Sequence, residues 1–234
     1  MHKPFVIGHR GCPERAPENS LKGLREAVKA GVDFVEVDVR SCKDGLVVIH
    51  DPDLRRVAGV NALVRELSLE GLRGFMAEIP TLEEFLDLAA ELGVGLVVDI
   101  KERGIEREVV DLMKERGLLE PSYLISFKHE VLRRVKEMCP RARTGAIVVC
   151  RPLDLLSLLR SAKVDALFMP GFIPGVETLD EEVVSEVHRE GLKVVGDPVN
   201  DEDTLRRALE LGLDGIGTDK PYEIVKALRS LVGG

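Results

Sequence analysis

The strongest constraint on the fold is a regular alternation of short β-branched runs with longer amphipathic stretches. Eight such pairs can be counted in the 234 residues. The predicted strands are 5–8, 34–39, 96–101, 123–127, 144–149, 166–169, 193–199 and 215–218. This α/β pattern predicts a (β/α)₈ TIM barrel. A doubly wound open sheet is the alternative, but the sequence from His9 to Pro13 is not the glycine-rich turn that it requires.

A hairpin and a small insertion interrupt the alternation after the second strand. The turn at 43–45 is followed by an apolar run that ends at His50, so we expect the chain to fold back and bring His50 to the barrel mouth. Residues 52–80 lack a strand period and predict a small cap. A capping box at 81–84 then opens the second barrel helix. We therefore expect one domain over 1–234, with the cap as its insertion.

Composition excludes several classes of protein. With 33 basic and 41 acidic residues the net charge is -8, which disfavours nucleic-acid binding. No apolar run approaches the roughly 18–20 residues that span a bilayer. We therefore expect a cytoplasmic protein without stable membrane insertion; its oligomeric state is not predicted. Four scattered cysteines predict reduced thiols, and 32% charged residues without glutamine are typical of thermophile proteins.

Polar side chains cluster at the predicted strand ends, where TIM barrels place their active sites. They are His9, Arg10, Glu36, Asp38, His50, Asp99 and Lys101. Strand alternation puts Glu36 and Asp38 on one face. Three carboxylates in a confined space repel one another unless a cation neutralises them, and all-oxygen ligands favour Mg²⁺ or Ca²⁺. The alternative is a structural ion-pair network with Lys101 and nearby arginines.

The other residues of this cluster indicate phosphoryl chemistry. His9 and His50 are candidates for an acid/base pair because imidazole titrates near neutrality. Arg10 and Lys101 beside a hard metal ion would hold a phosphate group. A metal ion, two cationic side chains and two proton carriers together predict a phosphoryl-transfer site.

An ordered set of motifs extends this prediction to a family. The set resembles the glycerophosphodiester phosphodiesterase family, which is related to phospholipase C-like phosphodiesterases, from residue 8 to residue 221. Its motifs are His9-Arg10-Gly11, Pro17-Glu18-Asn19-Ser20, Glu36-Val37-Asp38-Val39, Lys43-Asp44-Gly45, His50-Asp51, Ile79-Pro80-Thr81-Leu82-Glu83-Glu84, Asp99-Ile100-Lys101 and the segment from Asp214 to Pro221.

The resemblance implies a metal-dependent hydrolase that splits a small-molecule glycerophosphodiester into sn-glycerol 3-phosphate and an alcohol. It implies metal binding by Glu36, Asp38 and Asp99. It also implies acid/base catalysis by His9 and His50, and phosphate binding by Arg10 and Lys101. The nucleophile is either water or the glycerol 2-hydroxyl, and which histidine is the base stays open.

Several positions depart from the family pattern. Asp99 stands where the family usually has glutamate, and Asp197 stands where it often has tryptophan. We expect Asp197 and Phe127 to contact the substrate, with Phe127 supplying missing apolar surface; a core position for Phe127 is the alternative. The Thr218-Asp219 pair is expected either to bind phosphate or to fix the loop that holds the site.

Two other functions remain open from sequence. A lysophospholipase D or related phospholipid phosphodiesterase on the same barrel would need an apolar rim. Candidates for this rim are Leu63, Leu67, Leu69, Leu72, Phe75 and Met76 of the cap. A non-catalytic phosphometabolite-binding module would lack one of the histidines or metal carboxylates, whereas this chain has all of them or a conservative replacement.

Overall fold

Eight parallel strands close into a barrel in the computed structural model, which describes residues 3–172 and 178–232. Each strand pairs with the next along the chain, and the last returns to the first through Phe5 opposite Gly215. The (β/α)₈ prediction is confirmed. The strands are β1 (Phe5–Gly8), β2 (Phe34–Cys42), β3 (Gly45–Val48), β4 (Gly95–Ile100), β5 (Tyr123–Ser126), β6 (Arg143–Ile147), β7 (Ala166–Pro170), β8 (Lys193–Asp197) and β9 (Gly215–Thr218).

Helices cover the outside of the barrel and begin at polar caps. The Ser20 side chain accepts a hydrogen bond from the Gly23 backbone, and Thr81 forms the predicted capping box with Glu84. The helices are α1 (Leu21–Ala30), α2 (Arg55–Ala58), α3 (Leu69–Phe75), α4 (Leu82–Leu92), α5 (Glu106–Glu115), α6 (His129–Met138), α7 (Leu155–Ala162), α8 (Glu181–Arg189), α9 (Glu202–Glu210) and α10 (Pro221–Val232). None of the described helices is long and apolar enough to cross a membrane.

β3 is the extra strand outside the barrel, and it forms the predicted hairpin with β2. The two strands run antiparallel, with Val39 opposite Val48, and the Ile49 backbone NH donates to the Asp38 carbonyl at 3.0 Å. This pairing carries β2 past the β-branched run that ends at Val39 and as far as Cys42, as the predicted hairpin requires. The hairpin therefore returns His50 to the barrel mouth.

The inserted cap lies between β3 and α4 and has a hydrophobic cluster of its own. It contains α2, a short 3₁₀ turn at Val64–Glu66, and α3. The cluster joins Leu54, Val64 and Leu72 of the cap to Val47 of the hairpin. Packing against β3 fixes the cap beside the barrel mouth, where it can shape a site.

The barrel interior is apolar at the end where the strands begin. The rings of Phe5, Phe34 and Tyr123 pack edge to face or stacked, and Phe168 packs against Tyr123. A Cβ at Gly215 would lie 2.2 Å from the Phe5 ring, so only glycine fits beside this cluster. Because the aromatic rings close this end, the open and polar end lies at the opposite ends of the strands.

Candidate active site

Three carboxylates meet inside the barrel at the strand ends. Glu36 and Asp38 belong to β2, and Asp38 lies directly opposite Asp99 of β4 in the strand register. Their residues are 7%, 1% and 3% exposed, and one oxygen from each carboxylate lies within 4.8 Å of the others. The alternating geometry of the strands therefore brings together the three residues that the sequence singled out.

Cationic side chains neutralise this cluster only in part. Lys101 Nζ lies 2.7 Å from Asp38 Oδ1 and also contacts Asp99, and Arg10 Nε lies 3.3 Å from Asp38 Oδ2. Burial raises the pKa of Asp38, but Lys101 and Arg10 outweigh it and lower that pKa overall. Burial, followed by the charge of Asp38, raises the pKa of Glu36 to about 8. Burial also raises the pKa of Asp99, to about 6.

The carboxylate cluster fits a hard divalent cation. Asp99 Oδ1 is buried without a hydrogen-bond partner, although burying an unpaired carboxylate oxygen is costly. The alternative to a metal site is a structural network of ion pairs. Lys101 does pair with Asp99, but this pair leaves Asp99 Oδ1 without a hydrogen-bond partner. The donors are all carboxylate oxygens, the ligands that hard cations prefer. A divalent cation would supply both the missing partner and the missing positive charge.

The raised pKa of Glu36 predicts a pH-dependent stability for the metal-free protein. The unfolded chain releases this proton near the ordinary value of 4.5, whereas the folded protein keeps it to about 8. Folding therefore loses stability as the pH rises between those values. We expect the Tm of chelator-treated protein to fall from about pH 5 to about pH 8, and to fall less in Glu36→Gln.

Thermal unfolding monitored by circular dichroism across this pH range measures the effect. Glu91→Gln, at an exposed position of α4, is the matched control and should follow the wild type. The contribution of His9 to stability also falls with rising pH. Because its pKa is raised to about 9, this contribution is lost as the pH rises through that value. If the curves of Tm against pH run parallel for wild type and Glu36→Gln, the proposed rise in the pKa of Glu36 is contradicted.

His9 follows β1 and is oriented from the last strand of the barrel. Its Nδ1 lies 2.7 Å from Asp219 Oδ1, and Asn200 Nδ2 donates to the other Asp219 oxygen at 2.8 Å. Burial lowers the pKa of His9, but the hydrogen bond to Asp219 and the charge of Glu36 outweigh it and raise the pKa to about 9. Asp219 therefore holds the ring by Nδ1 and leaves Nε2 for other partners.

His50 stands at the end of the hairpin with a similar carboxylate contact. Its Nδ1 lies 2.7 Å from Asp51 Oδ1. Burial lowers the pKa of His50, and the charges of Lys101 and Arg10 lower it further, against the opposing effects of Asp38 and Asp51. The two histidines are thus shifted in opposite directions, so at neutral pH His9 favours the charged form and His50 the neutral one.

One cavity of about 160 Å³ collects these side chains at the barrel mouth. It is lined by nine of the residues that the sequence singled out: His9, Arg10, Glu36, Asp38, His50, Asp99, Lys101, Phe127 and Asp197. The Thr218-Asp219 pair lies outside this lining. Phe127 is 50% exposed, and Lys101 Nζ lies 5.9 Å from its ring centroid. The core alternative for Phe127 is therefore wrong. Asp197 has a pKa raised by burial, against a smaller opposing effect of His9.

Asn19 holds one of the carboxylates, a contact that the sequence reasoning missed. Its Nδ2 donates to Asp38 Oδ2 at 2.7 Å, and its Oδ1 accepts from the Asp38 backbone NH at 3.1 Å. Asn19 has a φ of 56°, which asparagine tolerates better than most residues. The sequence shows only that an asparagine lies within the motif from Pro17 to Ser20. It does not show which side chain the amide of Asn19 contacts.

The chain is similar to known proteins over most of its length. The sequence profile of the glycerophosphoryl diester phosphodiesterase family matches residues 9–223. A glycerophosphodiester phosphodiesterase of Caldanaerobacter subterraneus subsp. tengcongensis is 29% identical, over 97% of this chain and 98% of that protein. The structure of an Oleispira antarctica phosphodiesterase in complex with the product sn-glycerol-3-phosphate is similar, with 28% identity, a TM-score of 0.84 and 96% of each chain covered. A glycerophosphodiester phosphodiesterase structure from Thermotoga maritima has 25% identity and a TM-score of 0.82, over 97% of this chain and 99% of that one.

Proposed function

The chain belongs to the glycerophosphoryl diester phosphodiesterase family, and we propose that its reaction takes place in the cavity between His9 and His50. That reaction hydrolyses a glycerophosphodiester to sn-glycerol 3-phosphate and an alcohol. The observation that carries the assignment is the convergence of two histidines and three buried carboxylates on one cavity. Phosphodiester hydrolysis needs these components, namely proton carriers and a stabiliser of phosphoryl charge.

Glu36, Asp38 and Asp99 would hold the divalent cation, Mg²⁺ or Ca²⁺. When bound there, it withdraws negative charge from the phosphoryl oxygens. Lys101 and Arg10 place two further positive charges on the cavity wall, where they bind and orient the phosphate group. Phe127 and Asp197 complete the wall and contact the alcohol portions of the substrate.

The opposite pKa shifts of the histidines support different roles for them. His50, with its lowered pKa, accepts the proton of the nucleophile, which is water or the glycerol 2-hydroxyl. His9, with its raised pKa, donates a proton to the departing alkoxide. Asp51 and Asp219 hold the Nδ1 atoms of the two rings, so Nε2 is the atom that exchanges the proton in each case.

Product analysis tests the proposed reaction. Purified protein with Mg²⁺ or Ca²⁺ is incubated with a water-soluble glycerophosphodiester, and sn-glycerol 3-phosphate is measured with glycerol-3-phosphate dehydrogenase. We expect one equivalent of this product for each alcohol released. Release of the alcohol together with its phosphate, leaving free glycerol, would contradict the proposal because the other phosphoester bond would have been cleaved.

A groove beside the cavity supports lysophospholipids as a second class of substrate. It has a volume of about 450 Å³ and shares His50 with the catalytic cavity. Its walls are largely apolar, and Phe75 at its edge is 49% exposed. The catalytic cavity lies below the roughly 300 Å³ of typical small-molecule sites, whereas the groove lies within their range. Part of a larger substrate would therefore extend into the groove.

Rates on a lysophospholipid and on a water-soluble glycerophosphodiester separate the two candidates. If the groove holds an acyl chain, Phe75→Ser should lower kcat/KM for the lysophospholipid and leave the water-soluble substrate unaffected. Equal rates on the lipid for wild type and Phe75→Ser would remove the groove from lipid binding.

We propose residues 1–234 as one catalytic domain, a cytoplasmic location, and a small-molecule substrate with no nucleic-acid partner. The acidic net charge of -8 supports the last of these.

A further inference from the structure

Arg56 of the cap contacts two carboxylates, Glu18 and Asp51, which do not themselves line the catalytic cavity. Its Nη1 and Nη2 donate to the two oxygens of Glu18 at 3.0 and 2.5 Å. Its Nε donates to Asp51 Oδ2 at 2.5 Å. The planar guanidinium thus uses three donors at once, an arrangement that the ammonium of lysine cannot reproduce.

Each of these carboxylates also contacts a residue of the proposed site. The second oxygen of Asp51 lies 2.7 Å from His50 Nδ1. Both oxygens of Glu18 accept from Arg10 Nη1 at 3.3 Å. A continuous chain of contacts therefore runs from His50 through Asp51, Arg56 and Glu18 to Arg10.

We propose that Arg56 is a positioning residue that orients His50 and Arg10 together, so that the cap forms part of the catalytic centre. This inference rests on the proposed function of His50 and Arg10. Arg56 itself does not line the catalytic cavity and acts through Asp51 and Glu18.

The contact distances explain how the loss of Arg56 would affect Arg10. Glu18 lies closer to Arg56 than to Arg10, at 2.5 and 3.0 Å compared with 3.3 Å. Arg56 thus holds the Glu18 carboxylate in closer contact than Arg10 does. Without Arg56, Glu18 would pair more tightly with Arg10 and compete with the phosphate group for it. We therefore expect KM to rise.

The loss of Arg56 would also change the orientation of the His50 ring. Asp51 accepts from Arg56 on one oxygen while it holds His50 Nδ1 on the other. Loss of Arg56 frees the Asp51 carboxylate to rotate and leaves it facing Glu18 with no cation between them. Misplacing a catalytic group by a fraction of an ångström to 1 Å costs up to about 100-fold in rate, so kcat should fall as well.

The fold should tolerate the loss of Arg56. Its side chain is 50% exposed, and exposed ion pairs contribute little to the free energy of unfolding. The chain also supplies a matched control in the neighbouring Arg55. That side chain is 66% exposed and pairs with Asp53 at 3.2 Å, within the cap. Arg55→Gln removes the same charge from the same short helix without touching Asp51 or Glu18.

The test compares Arg56→Gln, Arg56→Lys and Arg55→Gln with the wild type. We expect kcat/KM to fall by about tenfold or more in Arg56→Gln, through both kcat and KM, and to recover only partly in Arg56→Lys. Arg55→Gln should stay within about twofold of the wild type. Circular dichroism should give similar Tm values for all four proteins. Equal kinetics for Arg56→Gln and Arg55→Gln would overturn the proposal.

A mutant cycle tests whether Arg56 joins the two sides. Asp51→Asn and Glu18→Gln are made singly and together, in the wild type and in Arg56→Gln. With Arg56 present, we expect the combined loss in kcat/KM to differ from the product of the single losses by more than about threefold. In Arg56→Gln the two losses should multiply. Multiplicative losses in both backgrounds would overturn the proposed link.

A spectroscopic measurement keeps this inference separate from the proposed function. The ¹⁵N and ¹H signals of the His50 ring report its hydrogen bond to Asp51 without substrate, and they are assigned by comparison with His50→Ala. We expect them to shift or broaden in Arg56→Gln and to stay unchanged in Arg55→Gln; unchanged signals in both would overturn the positioning role. A wild type that releases no sn-glycerol 3-phosphate would instead contradict the proposed function.

Discussion

Alanine at His9 or at His50 is expected to lower kcat by about 10²–10⁴-fold, because each substitution removes one of the two proposed proton carriers. The loss should appear mainly in kcat, since the proposed phosphate-binding residues Arg10 and Lys101 and the carboxylate cluster remain. Both side chains are about one-third exposed, at 32% and 35%, so both variants should fold, and His9→Ala should lose only the stability that its contact with Asp219 supplies. Steady-state kinetics on a water-soluble glycerophosphodiester, with circular dichroism as the folding check, measure both effects.

His188→Ala is the matched control for this experiment. His188 is a partly exposed histidine on α8 whose Nε2 lies 2.8 Å from Asp214 Oδ2, so it also contacts a carboxylate. It lies outside the catalytic cavity, and its replacement should leave kcat near the wild-type value. Retention of wild-type kcat in either His9→Ala or His50→Ala would contradict the acid/base assignment.

Removal of the divalent cation is expected to abolish hydrolysis, and Mg²⁺ or Ca²⁺ should restore it. The physical reason is that the cation would withdraw negative charge from the phosphoryl oxygens, and Lys101 and Arg10 already pair with the carboxylates and so do not replace it. Asp99→Asn should raise the cation concentration needed for half-maximal rate by at least about tenfold. Dialysis against chelator followed by titration with each cation measures this requirement.

Thermal stability gives a second readout that does not depend on turnover. A cation that binds only the folded protein adds about 2.7 kcal/mol to the free energy of unfolding at 100 times its Kd. The Tm of chelated wild type should therefore rise when the cation is added, and the rise should shrink in Asp99→Asn. Glu91→Gln serves as the control at an exposed position. Full activity after exhaustive chelation, with no cation effect on Tm, would contradict the carboxylate assignment.

Much of the fold could be predicted because it depends on local periodicity. The β-branched runs and the capping box at Thr81 determine strands and helices wherever they occur. The pleat of β2 places Glu36 and Asp38 on one face, and barrel closure then brings Asp99 beside them. The turn at 43–45 also indicated that β2 continues past the barrel into a hairpin, whereas its exact end at Cys42 is set by pairing with β3.

The contacts that orient the site could not be read from the sequence. Asn19 reaches Asp38 through a loop in which both Asn19 and Arg10 have positive φ values, of 56° and 51°. Arg56 reaches Glu18 across 38 positions of sequence, and no periodic pattern marks that separation. Side chains on strands follow the alternation of the backbone, whereas those on loops depend on conformations that only the folded chain defines.

We propose that His9 and His50, beside the carboxylate cluster, carry out the hydrolysis of glycerophosphodiesters. Phosphorus NMR of a water-soluble glycerophosphodiester incubated with the protein and Mg²⁺ or Ca²⁺ tests it most directly. We predict that the diester signal is replaced by that of sn-glycerol 3-phosphate with wild type, and that it persists with the His9→Ala, His50→Ala double variant. No monoester signal from the wild type, or turnover at the wild-type rate by the double variant, would contradict the claim.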